Sequence, residues 1–171
     1  MMRKFQIYTD GGTRGNGRDN AIGAWGWVLI ENDIKLREDA GHSPEFITNN
    51  QNEIMAVVYA LQAIKPSRPL NNTIAFQIHS DSALVVDAIN KKWIDNWQKK
   101  NWIRKKQEKV ANIIHWQMLL SEIKRLNDLK IPITFHKVKG HSGDTWNEYV
   151  DALVNWAMDT KSPSLVDTLV D

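Results

Sequence analysis

The 171-residue chain contains no cysteine, which rules out disulfides and thiolate metal sites and suits a reducing compartment. It also has no apolar run approaching the roughly 20 residues that a membrane-spanning helix needs. Its first residues, MMRKFQIYTD, hold no apolar stretch of the kind a secretory signal requires. These absences predict a cytoplasmic chain with no membrane association. Internal repeats and low-complexity tracts are missing too, so neither a solenoid nor a disordered linker is expected. What remains, 42% hydrophobic and 25% charged residues, is the composition of a globular domain large enough to bury a core. One domain over 1–160 is expected, followed by a loosely ordered polar tail over 161–171.

Net charge is only +2, but it is unevenly placed. Residues 91–109 hold eight Lys and Arg against Asp95 and Glu108, a local +6 that leaves the rest of the chain at −4. Three tryptophans, Trp93, Trp97 and Trp102, are interleaved with these cations. A clustered positive patch of this kind is the electrostatic footprint of a polyanion partner.

Along the chain, residues 4–9 alternate Phe5, Ile7 and Thr9 against Gln6 and Tyr8 and predict a strand. The Gly- and Asn-rich stretch 11–20 predicts a loop. Residues 21–31 predict a second strand, though Gly23 and Gly26 weaken it, with a hairpin partner at 34–41. From Thr48 the period becomes helical: Thr48 or Asn49 can cap, Ile54, Val57, Val58, Leu61 and Ile64 form the apolar face, and Pro66 ends the run. Residues 73–79 predict a buried strand leading into Asp81, and Ser80 or Asp81 can cap the helix that follows. A short amphipathic segment carries Trp93 and Trp97, and 110–129 predicts a long helix. Residues 131–140 predict a strand with Pro132 at its edge or start, and about 145–159 a last helix. The order β-β-β-α-β-α-α-α-β-α predicts an α/β fold. An antiparallel meander extended by parallel strands gives a five-stranded mixed sheet with helices on both faces.

Four acidic residues stand in distinctive settings. Asp10 closes KFQIYTD, Glu53 lies in TNNQNEIMAV, Asp81 follows FQIHS, and Asp151 comes ten residues after His141 in GHSGDTWNEYVD. Carboxylates at strand ends and on helix faces suit Mg²⁺, a hard cation that prefers oxygen ligands. Taken singly, each has a plainer reading: Asp10 before two glycines as a turn, Asp81 as a cap, Glu53 and Asp151 as solvated helix positions. Taken together with the basic, Trp-rich segment, they point to a metal-dependent nuclease.

The segments YTDGG (8–12), TNNQNE (48–53), HSDS (79–82) and VKGHSGDTWNEYVD (138–151), in this order and spacing, resemble the type 1 ribonuclease H family. The likeness is to the bacterial-like form with a basic protrusion, here about 91–109, and it covers all but the tail. It implies a ribonuclease H-like fold and a monomeric endonuclease that hydrolyses the RNA strand of an RNA/DNA hybrid. Two Mg²⁺ ions, with Mn²⁺ as a substitute, would assist, leaving 5′-phosphate and 3′-hydroxyl ends. The resemblance makes Asp10, Glu53, Asp81 and Asp151 the metal-binding carboxylates. His141 would deprotonate the attacking water or help product and metal leave. Crowded carboxylates repel, so their titrations should be coupled and at least one pKa raised.

By the same resemblance Thr13, Asn16, Thr48, Asn49, Asn50 and Gln51 become candidate contacts in a shallow minor groove, where the 2′-hydroxyl marks RNA. Their residue types alone would equally serve caps and turns. Trp97 and Trp102 become candidate deoxyribose contacts, Lys99 and Lys100 phosphate contacts, and Trp93 a core anchor. His42, His79, His115 and His136 have no comparable context and read as structural.

The chain also departs from the family pattern. Ala83 stands where bacterial relatives commonly have glutamine, Gln51 where a basic residue is common, and Thr13 where cysteine is frequent. The 17–22 loop is longer and more charged, and Trp25 and Trp27 enlarge the second strand. These differences bear on affinity and cleavage-site preference rather than on the chemistry. Two other readings stay open. A non-cleaving hybrid-binding module would be expected to lack a carboxylate, and none is missing. A resolvase- or integrase-like nuclease of the same fold would not be expected to carry the protrusion and the KGHSG loop.

Overall fold

In the computed structural model, residues 1–140 and 143–163 are described, so the His141 assignment and the tail from 164 onward lie outside the described residues. Strands β1 (Arg3–Arg14), β2 (Ile22–Glu31) and β3 (Ile34–His42) come first, then helix α1 (Asn49–Gln62) and strand β4 (Ile74–Ser80). Helices α2 (Ala83–Asn90), α3 (Trp93–Lys99) and α4 (Ile113–Asp128) follow, then strand β5 (Ile133–Lys137) and helix α5 (Thr145–Thr160). The sheet order is β3-β2-β1-β4-β5. β1/β2 and β2/β3 are antiparallel, while β1/β4 and β4/β5 are parallel. This is the expected meander with two parallel additions.

Alternation along the strands divides the core between two faces. Phe5, Ile7, Trp25 and Trp27 face α1, whose Ile54, Val57, Val58 and Leu61 are completely buried among them. Tyr8, Ala24, Val28 and Ile30 face the other way, onto Val150, Val154 and Ala157 of α5. The β2–β3 turn has Asn32 at φ 50° and Asp33 at φ 62°. Two consecutive left-handed residues make the tight turn that matches strand twist, and Asn and Asp tolerate that backbone best.

Several boundaries differ from the sequence expectation, each for a physical reason. β1 runs on to Arg14, where a loop was expected from Gly11. The ladder continues through Gly11↔Trp25, Gly12↔Ala24 and Thr13↔Gly23, so strand pairing overrides the weak β preference of glycine. Ser82, not Ser80 or Asp81, caps α2, its hydroxyl accepting from the Val85 amide at 3.3 Å. α4 starts at Ile113 because the basic stretch before it closes on itself: Ile103 pairs with Lys109, and the Val110 amide donates to the Trp102 carbonyl at 2.9 Å. The start of the tail is docked rather than loose, with the His42 amide donating to the Ser162 carbonyl at 2.6 Å.

The end of α4 is a Schellman motif in every bond. The Ile131 amide donates to the Leu126 carbonyl at 3.0 Å and the Lys130 amide to the Asn127 carbonyl at 2.9 Å, while Leu126 and Ile131 are both buried. The left-handed position is filled by Lys130 at φ 56°, where glycine avoids the Cβ clash. Lys130→Gly is expected to stabilise the protein by about 0.5–1 kcal/mol and to raise the melting temperature by roughly 1–4 °C. A thermal melt unchanged or lowered by the substitution would contradict this reading of the motif.

Candidate active site

The parallel ladder between β1 and β4 ends at the pair Thr9↔Ser80. Asp10 and Asp81 therefore occupy the next position on two neighbouring, co-directional strands. Asp10 is almost completely buried, at 7% exposure. From the α5 side, Asp151 shares a side-chain hydrogen bond with Asp10. Its place is set by neighbouring Val150 and Val154, which pin α5 to the sheet. Glu53 arrives from the opposite face, just past the first turn of α1. A Cβ at Gly11 would lie 2.3 Å from the Asn52 carbonyl carbon and 2.4 Å from the Glu53 nitrogen. Only glycine lets β1 touch the α1 backbone this closely, and that contact brings Glu53 to the crevice.

Electrostatics register the crowding. The Asp10 pKa is pushed up to about 8, first by burial, then by Asp81 and Asp151, with the Gly11 amide opposing the shift. Glu53 is also raised, chiefly by burial and further by Asp81, while the Ser82 hydroxyl donates to its carboxylate and pulls the other way. Asp10 thus senses Asp81 and Asp151, and Glu53 senses Asp81. The crevice lies at a change of strand direction, beside the carboxyl ends of parallel strands, where open α/β sheets place their ligands.

The donor set fits a hard divalent cation. All four side chains offer carboxylate oxygens, and the burial and like charges that raise the Asp10 pKa are costs a bound cation would offset. Among the described residues no three of these side chains form a ready-made ion cage. Here protein hydrogen bonds hold them instead, Asp10 to Asp151 and Glu53 to Ser82.

The candidate substrate contacts divide by what their polar atoms already do. Thr48 and Gln51 complete a capping box: the Thr48 hydroxyl accepts from the Gln51 amide at 3.2 Å, and Gln51 Oε1 accepts from the Ile47 and Thr48 amides at 2.9 and 3.1 Å. The Thr13 hydroxyl accepts from Asn52 Nδ2 at 3.1 Å, and Asn16 Oδ1 from the Asn49 amide at 2.8 Å. The Asn49 and Asn50 side chains are exposed at the head of α1.

On α3, Lys99 and Lys100 are exposed, whereas Trp93, Trp97 and Trp102 are each half-buried. Trp97 packs against buried Trp116 at 5.6 Å between ring centroids. A groove of about 450 Å³ runs from Asn50 past Leu84 to Trp93, Trp97 and Arg104, joining the head of α1 to the basic arm. Sequence reasoning missed Ser82 and Asn52. The first could have been found from its place directly after Asp81 at a helix start. The second is one asparagine in an Asn-rich run, and nothing local marks it as buried.

A mixed sheet that gathers carboxylates at a change of strand direction, with a cationic arm alongside, defines a nuclease-type hydrolase. The family model described as RNase H matches residues 2–159. A ribonuclease H of Clostridium botulinum is 41% identical over 92% of this chain and 97% of its own length. One of Chlorobium phaeobacteroides is 40% identical over the same shares. The chain belongs to the ribonuclease H family and is an endoribonuclease, of a family that is generally dependent on divalent metal. Among solved structures it resembles LC9-RNase H1, with a TM-score of 0.76 at 22% identity, covering 95% of this chain and 75% of that one. It also resembles LC11-RNase H1 in complex with RNA/DNA hybrid, with a TM-score of 0.62 at 22% identity, covering 91% of this chain and 97% of that one.

The raised Asp10 pKa has a signed consequence. Its ordinary value is 3.8 and its folded value about 8, so between these the folded state holds a proton that the unfolded chain releases. That contribution to stability is present at low pH and is lost as pH rises from about 4 to about 8. In EDTA, the wild-type melting temperature should fall between about pH 5 and pH 9 more steeply than that of Asp10→Asn, which cannot titrate. Parallel curves for the two proteins would show that Asp10 carries no such proton.

Proposed function

We propose that this chain cleaves the RNA strand of RNA/DNA hybrids with two Mg²⁺ ions, acting as a cytoplasmic monomer and leaving 5′-phosphate and 3′-hydroxyl ends. The observation that carries this reading is the convergence of Asp10 on β1, Asp81 just past the end of β4 and Asp151 on α5, where burial and then the charges of Asp81 and Asp151 raise the Asp10 pKa to about 8. Asp10, Glu53, Asp81 and Asp151 would hold the ions. Bound there, the ions would supply a water nucleophile at neutral pH and offset charge on the departing oxygen.

The rest is work for the chain's own groups. Asp10 must lose its proton to become a ligand, and Ser82 keeps the Glu53 carboxylate turned into the crevice. Asn49 and Asn50, exposed at the head of α1, read the sugar edge of the RNA strand, where the 2′-hydroxyl distinguishes RNA from DNA. Lys99 and Lys100 hold a phosphate of the DNA strand, with Trp97 and Trp102 against its sugars. His141 moves the proton from the attacking water or assists product release. No helix among the described residues is long and apolar enough to cross a membrane.

The deciding assay sets a labelled RNA/DNA hybrid beside RNA duplex, DNA duplex and single-stranded RNA, each with Mg²⁺ and with EDTA. Hybrid-only, metal-dependent cleavage supports the proposal, and tight hybrid binding without cleavage overturns it. Asp10→Asn is expected to lower turnover by on the order of 10³-fold or more while leaving hybrid affinity within about threefold. Equal losses of binding and turnover would count against a purely catalytic Asp10. For the basic arm, Lys99→Ala with Lys100→Ala should flatten the slope of log affinity against log salt by roughly 0.7–0.9 for each phosphate that is no longer neutralised. An unchanged slope would show that neither lysine grips a phosphate.

A further inference from the structure

Asn52 is completely buried, immediately before Glu53. Its Nδ2 donates to the Phe46 carbonyl at 2.9 Å, the Thr13 hydroxyl at 3.1 Å and the Thr48 carbonyl at 3.2 Å. Its Oδ1 is buried and, among the described residues, has no hydrogen-bond partner. Turning the amide over would aim that oxygen at two carbonyl oxygens, so the surroundings fix its orientation. A buried asparagine that leaves its acceptor unmet is retained for what its two donors do.

Those donors tie three segments to one point. Thr13 is on the far end of β1, Phe46 is in the loop before α1, and Thr48 is the α1 cap. The packing around the amide leaves no slack. A Cβ at Gly23 on β2 would lie 2.3 Å from Asn52 Nδ2 and 2.2 Å from the Phe46 carbonyl oxygen. On the other side, the Gly11 contact already described seats the Asn52–Glu53 peptide against β1. The Thr48–Gln51 capping box and the Asn16–Asn49 bond complete a rigid unit from the 13–16 stretch through α1's first turn.

We propose that Asn52 is a positioning residue that locks the substrate-facing turn at 48–50 to the carboxylate of Glu53, so that the RNA strand and the metal site are held in one register. This rests on the function proposed above. Without the two donors, the Phe46 and Thr48 carbonyls lose their shared partner, and the first turn of α1 shifts against β1. Both the Asn49–Asn50 surface and Glu53 move with it, although neither is substituted.

The test uses Asn52→Leu, which keeps the volume, and Asn52→Asp, which keeps the shape but removes the donors. Gly23→Ala displaces the same amide from the β2 side and serves if neither of the first two folds. Each is assayed well below its own melting temperature, with KM and kcat for the hybrid measured at saturating Mg²⁺. Mg²⁺ affinity is measured separately by calorimetry on the free protein. A rise in KM and a fall in kcat, each of about tenfold, with Mg²⁺ affinity weakened about tenfold, are the expected results for a positioning residue. Lower melting temperatures with KM, kcat and Mg²⁺ affinity all within about twofold of wild type would overturn it, leaving Asn52 a core residue only. If the wild type itself fails to cleave hybrid, the proposed function falls, and calorimetry still decides whether Asn52 places Glu53.

Discussion

Repulsion among carboxylates is the constraint on which the rest of the structure turns. Asp10, Asp81 and Asp151 come from β1, the end of β4 and α5, and the fold brings them together although their charges add to burial in raising the Asp10 pKa. Left alone, such a cluster would push its elements apart. It persists because each carboxylate is mounted on an element already held elsewhere by apolar packing: β1 and β4 at the sheet centre, α5 by Val150, Val154 and Ala157, α1 by Ile54, Val57, Val58 and Leu61. The core supplies the rigidity, and the site borrows it.

The two faces of the sheet divide this task. α5 brings Asp151 over one face and α1 brings Glu53 over the other, so the crevice is reached from both sides of a single strand ladder. Packing alone does not fix the depth of approach of α1, because an apolar helix can settle at several heights on a sheet. Backbone contact at Gly11 fixes it. The helix is therefore indexed to the strand that carries Asp10.

Much of this was legible in the chain. Strand and helix order followed from the switch between period-two and period-3.6 patterns, and the four carboxylates followed from their settings in the family motifs. What could not be read were features that depend on distant partners. Gly11 and Gly12 look like a turn until β2 is laid beside them, since a strand's registry is decided by its neighbour. Asn52 looks like one more cap-forming residue in an Asn-rich run. Only the converging carbonyls of Phe46 and Thr48 show that it is buried and why it points as it does. Thr48 and Gln51 matched a substrate-contact pattern, yet their side chains accept from backbone amides at the helix start.

That last point narrows how the head of α1 can meet a nucleic acid. The Thr48 and Gln51 oxygens that accept from the protein's own amides shape the turn, which leaves the Thr48 O–H and the Gln51 Nε2 as the groups these side chains could offer a ligand. Asn49 and Asn50 are exposed and carried on the capped turn, where the proposed function places the contact. They also sit where the 450 Å³ groove begins, and that groove leads to Trp97 and Arg104 on the basic arm. The arm is itself anchored, through Trp97 on Trp116, to the core that holds α1. On the proposed function, reading the RNA sugar and gripping the DNA phosphate would thus fall to surfaces tied to one framework. Their separation is set by the packing of α1 against α4 rather than by a flexible linker. If both surfaces bind as proposed, a duplex of the wrong helical form would satisfy one and miss the other, which would select the substrate by shape.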